Sequence, residues 1–242
     1  MSISKSELRL VRSLSQKKFR DETGLFIVEG EKLVSEATAS GFEVVNVYRR
    51  DEIGDTAMAQ ISSLSSPSPV LAVVRQKENL LRIPALSKGL FLALDGIRDP
   101  GNLGTILRVA DWFGIDGVFA SPDTVELYNP KVVQATMGAI FRVSFHTVDI
   151  PGFCREVLAS GGHVYGTFLD GENLYGKALE TGVGAPSVIV IGNEANGISK
   201  ETAACVSDRL FIPPYPADDP GSESLNAAIA TAITVAEFRR RV

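Results

Sequence analysis

Three short polar segments carry the side chains of this sequence that could perform chemistry. The first holds Asn102, Gly104 and Arg108, and Arg108 is the only charged residue between Asp99 and Asp111. On a helix, the six positions from Asn102 to Arg108 correspond to about 9 Å along the axis. An isolated guanidinium suits contact with a phosphate or an oxyanion. The plain structural alternative is an exposed arginine on a helix surface.

The second segment follows a continuous apolar run and places Glu194 between Gly192 and Gly197. Glycine adopts positive φ readily and lets a backbone approach a ligand closely. A carboxylate in such a loop could orient an arginine. The alternative is an ordinary turn from a strand into a helix.

The third segment begins where Ile212 ends another apolar run and continues through a proline-rich loop to Ser224, Leu225 and Asn226. Ser222 as the N-cap of the last helix, expected from Ser224 to about Arg240, would account for the serines. It does not account for an asparagine at the start of an otherwise apolar helix.

Common catalytic motifs are absent from the sequence. GNLGTI does not match the dinucleotide fingerprint, GSESL lacks the second glycine of a nucleophile elbow, and there is no phosphate-binding P-loop motif. Cys154 and Cys205 have no metal-ligand spacing, so reduced buried thiols and no metal site are expected.

The elements that must position these segments form an α/β pattern. From Gly89 onward, apolar runs alternate with helical stretches, which predicts a parallel sheet covered by helices in a domain spanning 89–242. Residues 1–75 indicate a smaller α/β module, whose first helix opens with the capping-box spacing of Ser4 and Glu7. Residues 76–88 are polar and are expected to be a linker.

The composition fits a soluble globular protein, with 45% hydrophobic and 22% charged residues among 242. No apolar run reaches the roughly 20 residues that span a bilayer, and the first residues lack the apolar core of a secretory signal. A cytoplasmic protein without membrane contact is therefore expected.

Charge is unevenly distributed along the chain. The net charge is −5, yet the first twenty residues hold six basic residues against Glu7 alone, and Arg239 to Arg241 add three more at the other end. A local basic face that binds RNA is one explanation, and a solvated helix face is the other. If RNA binds here, Lys17, Lys18 and Arg20 are the residues expected to contact it.

Together, the three segments resemble the signature motifs of the SPOUT methyltransferases, in the SpoU/TrmH branch. The first motif is matched by Asn102, Gly104, Ile106 and Arg108. The resemblance extends from about Leu90 to the end of the chain, and the amino-terminal module is similar to the family's substrate-binding module. The remaining matches are Gly192, Glu194 and Gly197 in the second motif and Ile212, Pro213, Ser224, Leu225 and Asn226 in the third.

The resemblance implies a deep trefoil knot in the domain 89–242, a homodimer formed through that domain, and methylation of a ribose 2′-oxygen in ribosomal or transfer RNA. It also implies S-adenosylmethionine as the methyl donor, bound near Gly192, Ile212, Leu225 and Thr167. Two departures concern substrate choice: Gln134 replaces a common arginine, and the loop before Ser224 is long and acidic.

The resemblance further implies roles for five side chains. Arg108 is the expected catalytic residue, as a base or, more safely, as a cation that stabilises the developing alkoxide. Glu194 is expected to orient Arg108, while Asn102, Ser224 and Asn226 hold the ribose, its phosphate and the loops. Two other functions stay open: an inactive RNA-binding relative, and an α/β enzyme acting on a small molecule.

Overall fold

The computed structural model describes residues 3–77, 87–216 and 223–242. The chain divides into two compact units, the first containing residues 1–78 and 126–142, the second containing 79–125 and 143–242. The proposed linker 76–88 falls mostly outside the described residues. The division of the chain at residues 75 and 89 stays a prediction.

The helices and strands alternate along most of the described ranges. The helices are α1 (Lys5–Ser13), α2 (Lys17–Thr23), α3 (Glu31–Ala39), α4 (Arg50–Ile53), α5 (Asp55–Ile61), α6 (Pro100–Trp112), α7 (Pro130–Ala135), α8 (Ile150–Ala159), α9 (Lys200–Ala203) and α10 (Ala227–Arg240). The strands are β1 (Leu25–Glu29), β2 (Val44–Arg49), β3 (Val70–Arg75), β4 (Gly89–Asp95), β5 (Gly117–Ala120), β6 (Phe145–Thr147), β7 (His163–Asn173), β8 (Pro186–Gly192) and β9 (Asp208–Phe211). No helix in these ranges is both long and apolar enough to cross a membrane.

The first unit is built on an antiparallel sheet in the order β1-β3-β2. The capping box predicted for α1 is present, because the Ser4 hydroxyl accepts from the Glu7 N–H and the Glu7 carboxylate accepts from the Ser4 N–H. Val11 and Leu14 are buried against one face of the sheet. The short helices α2, α4 and α5 were not predicted, since one or two turns give little periodic signal.

Segment 126–142 completes the core of this first unit. Val133 and Ile140 are buried in the cluster that contains Phe26 and Val28 of β1. The Tyr128 ring lies 4.6 Å from the Phe26 ring, measured between centroids. The sequence pattern assigned this segment to the domain 89–242, because its helical period carries no information about which core it joins.

The basic residues near the start of the chain are not all available to a partner. Arg20 is 2% exposed, and its guanidinium donates to the Leu14 carbonyl at 2.8 Å and to the Glu126 carboxylate at 2.5 and 3.0 Å. Lys17 and Lys18 form ion pairs with Asp21 and Glu22, respectively, one turn along α2. The expectation that Arg20 contacts RNA is therefore wrong. Lys17 and Lys18 are exposed, but their charges are partly neutralised by these ion pairs, so the case for their contact with RNA is weaker.

The second unit contains a six-stranded sheet in the order β6-β5-β4-β8-β7-β9. Its strand pairs are parallel, which confirms the predicted α/β architecture. The central strands β4 and β8 are buried along almost their whole length, as their uninterrupted apolar sequences indicate. On one face, Phe91, Phe119 and Val188 pack against Phe153 and Val157 of α8.

The last helix begins later than the sequence suggested. Asn226 is its N-cap, and the side-chain oxygen accepts from the N–H groups of Ala228 and Ile229. This explains an asparagine at the start of an apolar helix, because a capping residue lies outside the buried face. The alternative cap, Ser222, lies outside the described residues.

Candidate active site

The carboxyl ends of four strands of the second unit gather the polar segments at one edge of the sheet. Asp95 at the end of β4 is the register partner of Gly192 at the end of β8. On the far side of β8, Thr167 of β7 pairs with Leu210 of β9, two residues before Ile212. Ligands of parallel sheets bind at this edge.

The first motif opens helix α6 at this edge. Asp99 is the N-cap, and its carboxylate accepts from the Asn102 N–H at 2.8 Å, with Pro100 in the first turn. Asn102 is only 8% exposed, and Gly104 is buried within the helix. The cap therefore fixes the first turn and the direction of the Asn102 side chain.

Asn102 connects all three motifs through both ends of its amide. Its Nδ2 donates to Glu194 Oε1 at 2.9 Å. Its Oδ1 accepts from Asn226 Nδ2 at 2.8 Å. Since Asn226 also caps α10, one chain of hydrogen bonds links the starts of α6 and α10 to the loop after β8.

Backbone groups hold the Glu194 carboxylate as well. The N–H groups of Arg98 and Asp99 donate to its two oxygens, each at 3.3 Å. Burial by itself would raise the pKa of Glu194, but the hydrogen bonds from Asn102 and from backbone N–H groups outweigh it, so the pKa is lowered. Glu194 is thus an ionised acceptor at neutral pH.

Arg108 and Glu194 do not meet in the structure. Arg108 is exposed on α6, and within the described residues its guanidinium forms no hydrogen bond or ion pair. No contact between the two side chains therefore supports the expectation that Glu194 orients Arg108, which stays a prediction. Glu194 instead fixes the start of α6 through Asn102, and the helix carries Arg108 two turns further on.

Asn193 and Asp95 are structural parts of the site that the sequence patterns did not single out. Asn193 Nδ2 donates to the Gly96 carbonyl at 2.6 Å, while its Oδ1 accepts from Ala195 and Asn196. Asp95 accepts from the Ser199 N–H at 2.8 Å. In the sequence, the feature that indicated Asp95 was an acidic residue directly after the apolar run 90–94.

The glycine spacing of the second motif has a steric cause. Residues 193 and 197 form a tight hairpin through two backbone hydrogen bonds of 2.9 Å. A Cβ on Gly192 would lie 2.2 Å from the Gly197 carbonyl carbon, and Gly197 itself has a φ of +68°. Only glycine at both positions lets the hairpin fold back and present Glu194.

The third motif is less completely defined. Ser224 and Leu225 are exposed, the latter by 48%, and neither side chain joins the Asn102 network. The acidic loop with Asp218 and Asp219 lies outside the described residues. Of the third motif, Asn226 is the residue that the structure brings to the other two.

The positions expected to hold S-adenosylmethionine fit such a molecule. Gly192 ends β8, Ile212 directly follows β9, and Thr167 lies within β7, the strand between those two. Thr167 Oγ1 donates to the Val190 carbonyl at 3.3 Å, and Ile212 is only partly buried. Backbone polar groups beside accessible apolar side chains are the surroundings that a nucleoside requires.

Two family models match this chain. The model of the SpoU rRNA methylase family matches residues 89–236, and that of the MRM3-like substrate binding domain matches residues 5–76. The 23S rRNA (guanosine(2553)-2′-O)-methyltransferase RlmP of Bacillus subtilis (strain 168) is 30% identical over 243 residues, which cover 94% of each chain. The mitochondrial rRNA methyltransferase 3 of Mus musculus is 26% identical over 93% of this chain and 69% of its own.

Two solved structures resemble the whole chain. A TrmH-family protein from Porphyromonas gingivalis has 36% sequence identity and a TM-score of 0.87, with both chains covered completely. An rRNA methyltransferase from Sinorhizobium meliloti with AdoMet bound has 30% identity and a TM-score of 0.87, covering 100% of this chain and 97% of that one. Since the family model covers more than half of the chain and the Bacillus relative matches nearly all of it, this protein belongs to the SpoU rRNA methylase family.

Proposed function

We propose that this protein transfers a methyl group from S-adenosylmethionine to a ribose 2′-oxygen of ribosomal RNA. The observation that carries the proposal is the hydrogen-bonded chain from Glu194 through Asn102 to Asn226, which joins the three motifs at the ligand edge of the sheet. Ribosomal RNA is the proposed acceptor because the relative similar along 94% of the chain is named for methylating it.

The side chains divide the work between positioning and charge stabilisation. When bound, S-adenosylmethionine supplies an electrophilic methyl group, and Gly192, Ile212, Leu225 and Thr167 are the positions proposed to hold it. Arg108 is exposed and free of protein partners among the described residues, so its guanidinium can contact the acceptor. A cation there stabilises the negative charge that develops on the 2′-oxygen.

Asn102, Glu194 and Asn226 are proposed to act by preorganisation. Their hydrogen bonds fix the starts of α6 and α10 before the RNA arrives, so the acceptor meets groups that need no rearrangement. Ser224 is exposed beside Asn226 and is proposed to donate to the ribose or to its phosphate.

The first unit is proposed to bind the RNA. Lys5, Arg9 and Arg12 are exposed on α1, and none of them forms an ion pair within the described residues. Their spacing of four and three residues places them on one face of the helix. Arg12 also lines an open groove with Ser15 and Ser63.

The trefoil knot, the homodimer and a cytoplasmic location are proposed on the strength of the family. Exposed apolar side chains support the dimer: Trp112 at the end of α6 is 85% exposed, and Leu225 and Ile229 around the start of α10 are 48% and 49% exposed. Light scattering coupled to size-exclusion chromatography tests the dimer, and a monomer at micromolar concentration would contradict it.

The activity is tested by incubating the purified protein with methyl-labelled S-adenosylmethionine and ribosomal RNA from cells that lack the gene. Label should enter one RNA site, and that site should resist alkaline cleavage because the 2′-oxygen is blocked. RNA binding with no label transferred to ribosomal or transfer RNA would favour an inactive RNA-binding relative. Tight binding of another nucleotide, without RNA dependence, would favour a small-molecule enzyme.

A further inference from the structure

Helix α10 is attached to helix α6 at both ends. At the start, Asn226 Nδ2 donates to Asn102 Oδ1 at 2.8 Å. At the other end, Arg239 Nε donates to the Phe113 carbonyl at 2.8 Å, and one of its terminal nitrogens donates to the Gly114 carbonyl at 2.5 Å. The two helices therefore run side by side in the same direction.

The two attachment points are separated by similar distances along the two helices. Asn226 and Arg239 are thirteen residues apart, and Asn102 and Phe113 are eleven apart, which correspond to about 20 and 16 Å along a helix. Arg108 lies near the middle of this interval. A shift of α6 along or around its axis would have to break one of the two attachments.

We propose that Arg239 is a positioning residue, which fixes the carboxyl end of α6 and thereby sets where Arg108 meets the RNA. This inference rests on the proposed role of Arg108 in methyl transfer. Because Arg108 has no partner of its own within the described residues, the helix backbone determines its position. No sequence motif of the family assigned a role to Arg239.

The neighbouring arginines show that this use of Arg239 is specific. Arg240 points away, with 67% of its side chain exposed, and it pairs with Glu237 of its own helix. Arg241 donates to Glu237 and to the carbonyls of Leu174 and Tyr175 after β7. Within this run of three arginines, only Arg239 contacts the end of α6.

The chemistry of the contact favours arginine over lysine. The last carbonyls of a helix lack partners within the helix and carry partial negative charge. The guanidinium of Arg239 binds the carbonyls of the cap residue Phe113 and of Gly114 at once from a planar group, whereas an ammonium is a single flexible point of charge. Asp116, 4.0 Å from the Arg239 guanidinium, further limits its orientation.

The test compares Arg239→Ala and Arg239→Lys with Arg240→Ala as the matched control. Single-turnover methylation of ribosomal RNA is measured at saturating RNA and cofactor, together with cofactor affinity by calorimetry. Arg239→Ala should slow the methyl-transfer step at least about tenfold, because misplacement by about 1 Å can cost about a hundredfold. Cofactor affinity should change less than about twofold, and Arg239→Lys should recover part of the rate.

A second measurement separates this inference from the proposed function. Hydrogen exchange of α6 needs no activity: Arg239→Ala should increase exchange in a peptide spanning residues 105–114, and Arg240→Ala should not. Equal exchange and equal methylation rates in the two alanine variants would overturn the role of Arg239. If the wild type labels no RNA while the exchange difference is present, the proposed function fails and the positioning contact stands.

Discussion

Asn102 is the residue on which the arrangement of the site depends, because it donates to Glu194 and accepts from Asn226. Arg108 shares a helix with it but not this network. Glu194 should therefore couple energetically to Asn102 and not to Arg108. Residues in one network show coupling of about 0.5–3 kcal/mol, whereas independent sites agree with additivity within about 0.5 kcal/mol.

Double-mutant cycles on the free energy of unfolding measure this difference. Asn102→Ala and Glu194→Ala should be strongly non-additive, whereas Arg108→Ala and Glu194→Ala should be additive. Arg108→Ala should abolish methyl transfer while leaving cofactor affinity nearly unchanged. Near-normal turnover in Arg108→Ala would contradict the mechanism, and strong coupling of Glu194 to Arg108 but not to Asn102 would contradict the network.

Glu194 also gives the site a defined response to acid. Its pKa is lowered, since the hydrogen bonds from Asn102 and from backbone N–H groups more than offset the effect of burial. A carboxylate with a lowered pKa stabilises the folded state above its unfolded pKa of about 4.3, and this contribution is lost as the pH falls through the folded value. The wild type should exceed Glu194→Gln in free energy of unfolding at pH 7, and the difference should shrink below about pH 4.

Urea denaturation of both proteins at several pH values checks this expectation. A difference that is constant from pH 7 down to pH 3 would mean that the Glu194 charge contributes nothing to stability. A variant with Glu156→Gln, on the same unit and exposed on α8, provides a comparison for general effects of losing an acidic group.

Helix α1 is the element expected to carry the affinity for RNA. The triple variant Lys5→Ala, Arg9→Ala, Arg12→Ala removes exposed charges without ion pairs in the described chain. Each phosphate contact adds roughly 0.7–0.9 to the slope of log affinity against log salt concentration. The slope should therefore decrease by about two, with cofactor affinity intact.

Two comparisons make the experiment on α1 specific. Lys17→Ala with Lys18→Ala should change the salt slope less, because Asp21 and Glu22 already neutralise these lysines. Arg20→Ala should instead destabilise the fold by about 3–5 kcal/mol, since it leaves Glu126 without its buried partner. Filter binding with ribosomal RNA over a salt series reads the slopes, and equal slopes for all variants would place the RNA surface elsewhere.

At the scale of the whole molecule, the two compact units do not correspond to two continuous stretches of sequence. Segment 126–142 belongs to the first unit, although the chain on either side of it belongs to the second. A fragment that begins at Lys88 would therefore expose Val133 and Ile140, which are buried in the full chain. It should still bind the methyl donor but aggregate, because its exposed apolar surface lacks a partner.

Polar substitutions provide the control for this truncation. Val133→Lys with Ile140→Lys should make the fragment soluble while destabilising the full chain by about 3 kcal/mol or more, since each buried side chain contributes about 1.5–3 kcal/mol. Light scattering of the fragment and thermal unfolding of the full chain check both effects. A fragment that does not aggregate without the substitutions would show that segment 126–142 does not depend on the first unit.

The sequence by itself determined the local structure and the chemical groups of this protein. Apolar runs long enough to be buried on both faces predicted the parallel strands, and the spacing of Ser4 and Glu7 predicted the capping box. Gly192 and Gly197 marked a tight loop because their steric requirement is local. Such features depend on neighbours within a few residues, which the sequence shows directly.

Only the tertiary structure decided which distant groups meet. The partner of Arg20 is Glu126, 106 residues away, and the partner of Glu194 is Asn102, 92 residues away. Residue type made Arg20 a candidate for contact with RNA and Glu194 a candidate partner of Arg108. Burial turned the first into a structural ion pair, and hydrogen bonding turned the second into a support for α6. The reason is that a side chain's free energy depends on the groups that packing brings beside it. The spacing of residue types along a short stretch of sequence does not specify those groups.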